Sequence, residues 1–153
     1  MIELYFDGLC QPVNPGGIAC FAFIVKSDGK MIQSDYGLAA EPFSKDATNN
    51  VAEYTALVKA LEWLLANNFN SDKIKIKSDS QLVVRQLTGE YKVKAKRIIS
   101  LYRQAVMLKN KFKEVEIEWV PREQNKEADR LTNKAYAMAL QQNPETVSKG
   151  FGI

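Results

Sequence analysis

The chain reads as an α/β domain on a five-stranded mixed sheet, three antiparallel strands followed by two parallel ones, with helices on both faces. Three observations lead there. Three strand-like segments come first, joined by connections too short to hold a helix. Two further short apolar segments follow, each delivered by a helical stretch. The length of 153 residues is that of one domain, enough to bury roughly 70% of its unfolded surface.

Residues 2–6 (IELYF) alternate apolar and polar and end on Asp7, the pattern of a half-buried strand. Residues 18–26 (IACFAFIVK) form a denser apolar run, as a central strand does. Between them LCQPVNPGG reads as a loop marked by Pro12, Pro15, Gly16 and Gly17. Asp28-Gly29 predicts a tight hairpin, because both residues tolerate positive φ, and residues 31–39 return as the third strand. A helix is expected over about 50–68, where Leu57, Leu61, Leu64 and Leu65 recur at helical spacing. Counting back four from Leu57 places Glu53 on the buried side of that helix.

Residues 73–78 form the fourth strand and deliver Asp79. A short helix over 80–88 closes on Gly89, and a longer one over about 95–112 aligns Ile98, Leu101, Tyr102, Ala105 and Leu108. Residues 115–120 (VEIEWV) are the fifth strand, stopped by Pro121. The last helix spans about 125–141, with Ala128, Leu131, Ala135, Met138 and Ala139 facing inward and Asp129 in its first turns. Residues 1–141 are thus the domain, and 142–153 a C-terminal tail expected to be partly mobile. A β–α–β connection within one sheet is right-handed and parallel, so strands one and four become neighbours and carry Asp7 and Asp79 to one sheet edge. Open α/β sheets bind ligands there, beyond the strand carboxyl ends.

Composition narrows the function. The hydrophobic share of 46% and charged share of 25% are those of a globular chain, and no apolar run approaches the roughly 18 residues of a membrane span. The N-terminus opens on a strand without a basic-then-apolar leader, so a cytoplasmic, reducing setting is expected. Cys10 and Cys20 are too few for a disulfide framework, and with no histidine they make no zinc site. The net charge of +3 is uneven: residues 85–113 hold nine Lys or Arg against Glu90 alone. A basic block beside acidic positions suits a polyanion gripped in one place and processed in another.

Asp7, Glu53, Asp79 and Asp129 each occupy a position where a solvated surface acid is not expected. Carboxylates that cannot easily ionise alone are commonly held by cations, and a chain without histidine points to a hard, oxygen-bound Mg²⁺ or Mn²⁺. Singly, each acid could be a cap or a turn former.

The strand ending in FDG, the loop NPGG and the strings TNNVAEYTAL, SDSQLV and WVPREQNKEAD follow one another in order over residues 1–140. Together they resemble type 1 ribonuclease H, which implies the ribonuclease H-like fold. The resemblance implies that Asp7 bridges two metal ions, that Glu53 and Asp79 complete the nucleophile-side ion, and that Asp129 holds the leaving-side ion. Two ions ~3.5–4 Å apart would activate a water and stabilise the leaving oxygen of a phosphodiester. It implies further that Asn14, Asn49, Asn50 and Gln81 touch the minor groove of an RNA/DNA hybrid, where amides can both donate to and accept from 2′-hydroxyls and base edges. Thr48 matches a position gripping a DNA phosphate, and Cys10 one whose backbone lies along the RNA. As local structure, Asn14-Pro15-Gly16 is also a turn and Asn49-Asn50 a helix N-cap.

Two features depart from the family. Many members carry a histidine in the loop before the last acid; here that loop is PREQN, leaving Arg122 or Glu123 as the substitute. An arginine can stabilise a departing phosphate but is a poor general acid. Some members insert an extra helix and basic loop before the long helix; here only GEYKVK joins them, so the handle is missing or vestigial, with Lys92, Lys94, Lys96 and Arg97 left to meet the DNA strand. Trp63 and Trp119 are read as core or packing residues. The expected activity is two-metal hydrolysis of the RNA strand of RNA/DNA hybrids to 5′-phosphate and 3′-hydroxyl ends, by a monomer with no membrane partner. The alternatives are the same fold also cutting double-stranded RNA, and a non-catalytic hybrid-binding module. A metal-free glycosidase with paired carboxylates is remote.

Overall fold

A computed structural model describes residues 1–142. Its elements, in chain order, are β1 (Ile2–Gln11), β2 (Ile18–Ser27), β3 (Lys30–Leu38), α1 (Asn49–Ala66), β4 (Lys73–Ser78), α2 (Gln81–Leu87), α3 (Lys96–Lys109), β5 (Glu114–Trp119) and α4 (Lys126–Gln142). A 3₁₀ turn over Arg122–Asn125 leads into α4. The sheet order is β3-β2-β1-β4-β5, antiparallel across β1–β3 and parallel across β1-β4 and β4-β5. This is the mixed sheet expected, with strands one and four adjacent. The expected tail, 142–153, lies outside the described residues apart from Gln142, which closes α4.

The hairpin forms where Asp28 and Gly29 adopt φ of 50° and 82°, joining Ser27 to its partner Lys30 through a two-residue loop. α1 starts at Thr48, whose hydroxyl accepts from the Val51 N–H at 3.0 Å. Its apolar stripe of Tyr54, Leu57, Leu61 and Leu64 packs on Ile2, Leu4 and Phe6 of β1 and on Ile74 and Ile76 of β4. Side chains alternate faces along a strand, so Leu9 of β1 and Ile18 and Cys20 of β2 form a second core on the other face, under Ala135 and Ala139 of α4. Each fully buried Leu or Ile contributes about 1.5–3 kcal/mol, which makes the α1 face the dominant source of stability.

Among the described residues, α4 covers β1, β2 and β3 and leaves the β4–β5 half of its face open. That explains why β4 reads KIKIKS and β5 EVEIEW. Lys73 pairs with Glu114 and Glu116 (3.5 and 3.2 Å), Lys75 with Glu118 (4.0 Å), and Lys77 with Glu3 (2.6 Å), so the uncovered face is a charge ladder rather than an apolar patch.

Three expectations change. β1 does not end at Asp7: Gly8–Gln11 stay paired with Ile18–Phe21 of β2, so the loop is confined to 12–17. The buried face of α4 is Ala128, Thr132, Ala135 and Ala139, whereas Met138 is exposed and Leu131 half-buried. Trp119 is 43% exposed and so is not a core residue.

Candidate active site

The four acids converge because β1 outruns its parallel partner. The β1–β4 ladder stops at the Tyr5–Lys77 pair, so Asp7 projects from β1 just beyond it and Asp79 follows the end of β4. Gly8 brings in the third. A Cβ built there would lie 2.5 Å from the Glu53 nitrogen and 2.7 Å from the Ala52 Cβ, so only glycine lets α1 sit this close to β1. Asp129 arrives in the first turn of α4. All four line one open cleft of about 450 Å³, together with Asn49, Ser80, Arg122 and Asn133.

Burial and mutual repulsion dominate the electrostatics. Asp7 is pushed up to about 8, first by burial and then by Asp79 and Glu53, with its hydrogen bond from the Gly8 backbone opposing. Glu53, 6% exposed, is pushed up to about 7, mainly by burial. Its Oε1 accepts from Asn49 Nδ2 at 2.9 Å. Its Oε2 is buried with no hydrogen-bond partner among the described residues, the Ser80 hydroxyl lying near enough to favour the charge without completing a bond to it. Asp129 meets the Arg122 guanidinium at 3.9 Å, a solvent-exposed pair worth little. Asp79 Oδ1 accepts from Asn125 Nδ2 at 3.2 Å, and the Asp79 carbonyl from the Trp119 indole at 3.2 Å.

These residues fit a hard divalent cation. Carboxyl oxygens are its preferred donors, an orphaned buried carboxylate oxygen wants one, and Arg122 is the one cationic side chain lining the cleft. Among the described residues no three acidic side chains close into a ready-made cage, so an ion held here would complete its shell with water or substrate oxygens, as Mg²⁺ commonly does.

The residues matched to substrate positions divide. Asn14 Oδ1 accepts from the Asn49 N–H at 3.2 Å, tying the 12–17 loop to the start of α1. Asn49 spends its amide N–H on Glu53, so it orients a carboxylate as well as facing the cleft. Thr48 is the true N-cap, with its hydroxyl proton still free to donate, and Asn50 is half-buried in the first turn. The Cys10 thiol donates to Val13 O and Ala47 O at 3.2 and 3.1 Å, joining the end of β1 to the segment before α1. Gln81 is exposed at the start of α2, and Lys92, Lys94 and Lys96 are exposed at the entry to α3, outside the cleft. Glu123 is exposed in the 3₁₀ turn and does not line the cleft, whereas Arg122 does. Sequence reasoning missed Gly8, Ser80, Asn125 and Asn133. A glycine directly after a strand acid was a signal for the first; nothing in the pattern marks Asn125.

Comparison with known proteins agrees with the fold. The reverse transcriptase-like family model matches residues 6–135. The ribonuclease HI of Halobacterium salinarum is 37% identical over 134 residues, 88% of this chain and 63% of that protein. The chain belongs to the type 1 ribonuclease H family. Among solved structures, the ribonuclease H1 of that archaeon overlays with a TM-score of 0.77 at 34% identity, covering 89% of this chain and 97% of that one. LC11-RNase H1, solved in complex with an RNA/DNA hybrid, overlays with a TM-score of 0.80 at 31% identity, covering 92% and 99%. The bifunctional protein Rv2228c of Mycobacterium tuberculosis is 43% identical over 95 residues, 62% of this chain, and the match spans only 26% of that longer relative. As a type 1 ribonuclease H the chain lacks both the loop histidine and the inserted handle: α2 and α3 are joined by residues 88–95 alone.

Proposed function

We propose that this ribonuclease H hydrolyses the RNA strand of RNA/DNA hybrids, cutting internally to leave 5′-phosphate and 3′-hydroxyl ends. The observation that carries the reading is the convergence of Asp7, Glu53, Asp79 and Asp129 on one cleft, with two of them held well above the usual carboxylate range. When bound, two Mg²⁺ ions, with Mn²⁺ as an alternative, would supply an activated water and stabilise the leaving oxygen. Asp7, central among the acids, would help to hold the ions on both sides, Glu53 and Asp79 would hold on the nucleophile side, and Asp129 would hold on the leaving side.

Around that centre Asn14, Asn49, Asn50 and Gln81 offer amides to the minor groove, Cys10 presents its backbone to the RNA, and Thr48 donates its hydroxyl to a DNA phosphate. Lys92, Lys94 and Lys96 grip the DNA backbone. Arg122 faces the leaving side beside Asp129 and takes the place of the absent histidine as an electrostatic aid to the departing phosphate; Glu123 in the same turn is the weaker candidate. The catalytic unit is residues 1–141, acting as a monomer in the cytoplasm. Among the described residues no helix is long and apolar enough to cross a membrane. The short 88–95 connection favours one broader reading, in which weaker grip on the DNA strand admits double-stranded RNA as a second substrate.

The test is cleavage of a labelled hybrid by Asp7→Asn, Glu53→Gln, Asp79→Asn and Asp129→Asn. Each is expected to keep its fold and lose at least 100-fold in turnover. Near-normal cutting by Asp7→Asn in Mg²⁺ would contradict the assignment.

A further inference from the structure

Asn125 is 1% exposed, in the last position of the 3₁₀ turn before α4. Its Nδ2 donates to Phe6 O at 2.9 Å and to Asp79 Oδ1 at 3.2 Å. Both partners are acceptors, so the amide can be placed only one way round, with its NH₂ toward them. That choice leaves Asn125 Oδ1 buried with no partner among the described residues. A buried, unsatisfied acceptor costs stability, so core packing alone does not account for an amide here.

The geometry of the sheet shows what the amide does. The β1–β4 ladder ends at the Tyr5–Lys77 pair, and Asn125 supplies the Phe6 carbonyl, one residue before Asp7, with a donor beyond that end. The same NH₂ reaches Asp79, and the peptide carrying Asn125 leads within four residues to Asp129. One side chain therefore ties together the three elements that carry Asp7, Asp79 and Asp129. The Trp119 indole holds the Asp79 backbone carbonyl, so rotation about the Asp79 side-chain bonds is the freedom that Asn125 removes.

We infer that Asn125 is a positioning residue that fixes the rotation of the Asp79 carboxylate and thereby sets the affinity of the cleft for a divalent cation; this rests on the metal-dependent reading proposed above. With Oδ1 accepting from Asn125, the orientation of the carboxylate that would help to hold the ion is set. Asn125 itself is buried and does not line the cleft.

The experiment uses the full chain and Mn²⁺ alone as the probe, followed by calorimetry without nucleic acid at a temperature where circular dichroism shows every variant folded. Asn125→Leu keeps the branched shape and the number of side-chain heavy atoms and removes the donor. It is expected to weaken Mn²⁺ binding at least tenfold and to lower kcat, with KM for the hybrid within twofold of wild type. Leu64→Ala, which thins the core under α1 away from the cleft, provides the comparison for lost stability and is expected to bind Mn²⁺ as wild type does. Unchanged Mn²⁺ affinity in folded Asn125→Leu overturns the inference while wild-type binding keeps the metal reading intact. Absence of Mn²⁺ binding to wild type overturns both. Should Asn125→Leu fail to fold, Asn125→Ala decides by the same criterion.

Discussion

Replacing Asp7 with asparagine is expected to make the metal-free protein more stable, although it removes a group the proposed function needs. The Asp7 carboxyl is pushed from an ordinary 3.8 to about 8 in the folded chain. Between those values the unfolded chain is ionised while the folded chain holds the proton, so unfolding releases a proton and stability falls as pH rises. The whole cost is present above about pH 8 and absent below about pH 4. Each pH unit across that window is worth about 1.4 kcal/mol, so at about pH 7 the cost is on the order of 4 kcal/mol. Glu53, pushed up to about 7, adds a cost of the same sign in both proteins. A chain of this size shifts its melting temperature by about 2–4 °C per kcal/mol, so Asp7→Asn is expected to melt roughly 10 °C above wild type in EDTA near pH 7. The assay is thermal unfolding followed by circular dichroism from about pH 4 to about pH 8.5. The gap should open steadily with pH, and Mg²⁺ should close it by raising the wild-type curve alone. Parallel curves for the two proteins across that range would refute the argument.

Other expectations follow from single contacts. Gly8→Ala places a methyl group 2.5 Å from the Glu53 nitrogen, so α1 must shift; urea titration should show a loss of about 1–3 kcal/mol, and cleavage should fall at least tenfold as Glu53 moves. Thr48→Ala removes the cap on Val51 N–H and should cost about 1 kcal/mol, recovered by Thr48→Ser. Removing Lys92, Lys94 and Lys96 together should weaken hybrid binding and flatten the logarithmic salt dependence by about 2–3 units, read by binding titrations at several salt concentrations.

Much of this architecture was legible because each element carried its own period. The stripe of Leu57, Leu61 and Leu64 located α1 and carried Glu53 to the buried side with it. The Asp28-Gly29 pair located the hairpin, and the parallel β1–β4 pairing followed from the handedness of the crossover. Other features depended on neighbours that no local pattern contains. Gly8–Gln11 look like loop, yet remain strand because β2 runs alongside them to Ile18. Met138 looks like core, but α4 turns Thr132 inward instead, where its hydroxyl is satisfied by the Asp129 carbonyl. The four acids could be picked out because acids at strand ends and on an apolar helix face conflict with their surroundings. Asn125 could not, since an asparagine in a polar loop is unremarkable until the Phe6 carbonyl and Asp79 arrive from distant parts of the chain.

The central claim is tested most directly by incubating the protein with an end-labelled RNA/DNA hybrid beside RNA and DNA duplexes of the same sequence, in Mg²⁺ and in EDTA. The account predicts internal cuts in the RNA strand of the hybrid, in Mg²⁺ only, with the DNA duplex untouched; cuts in the RNA duplex as well would extend the substrate range. Intact hybrid in Mg²⁺, despite demonstrable binding to it, would contradict the account and leave the four carboxylates in a protein that holds hybrids without cutting them.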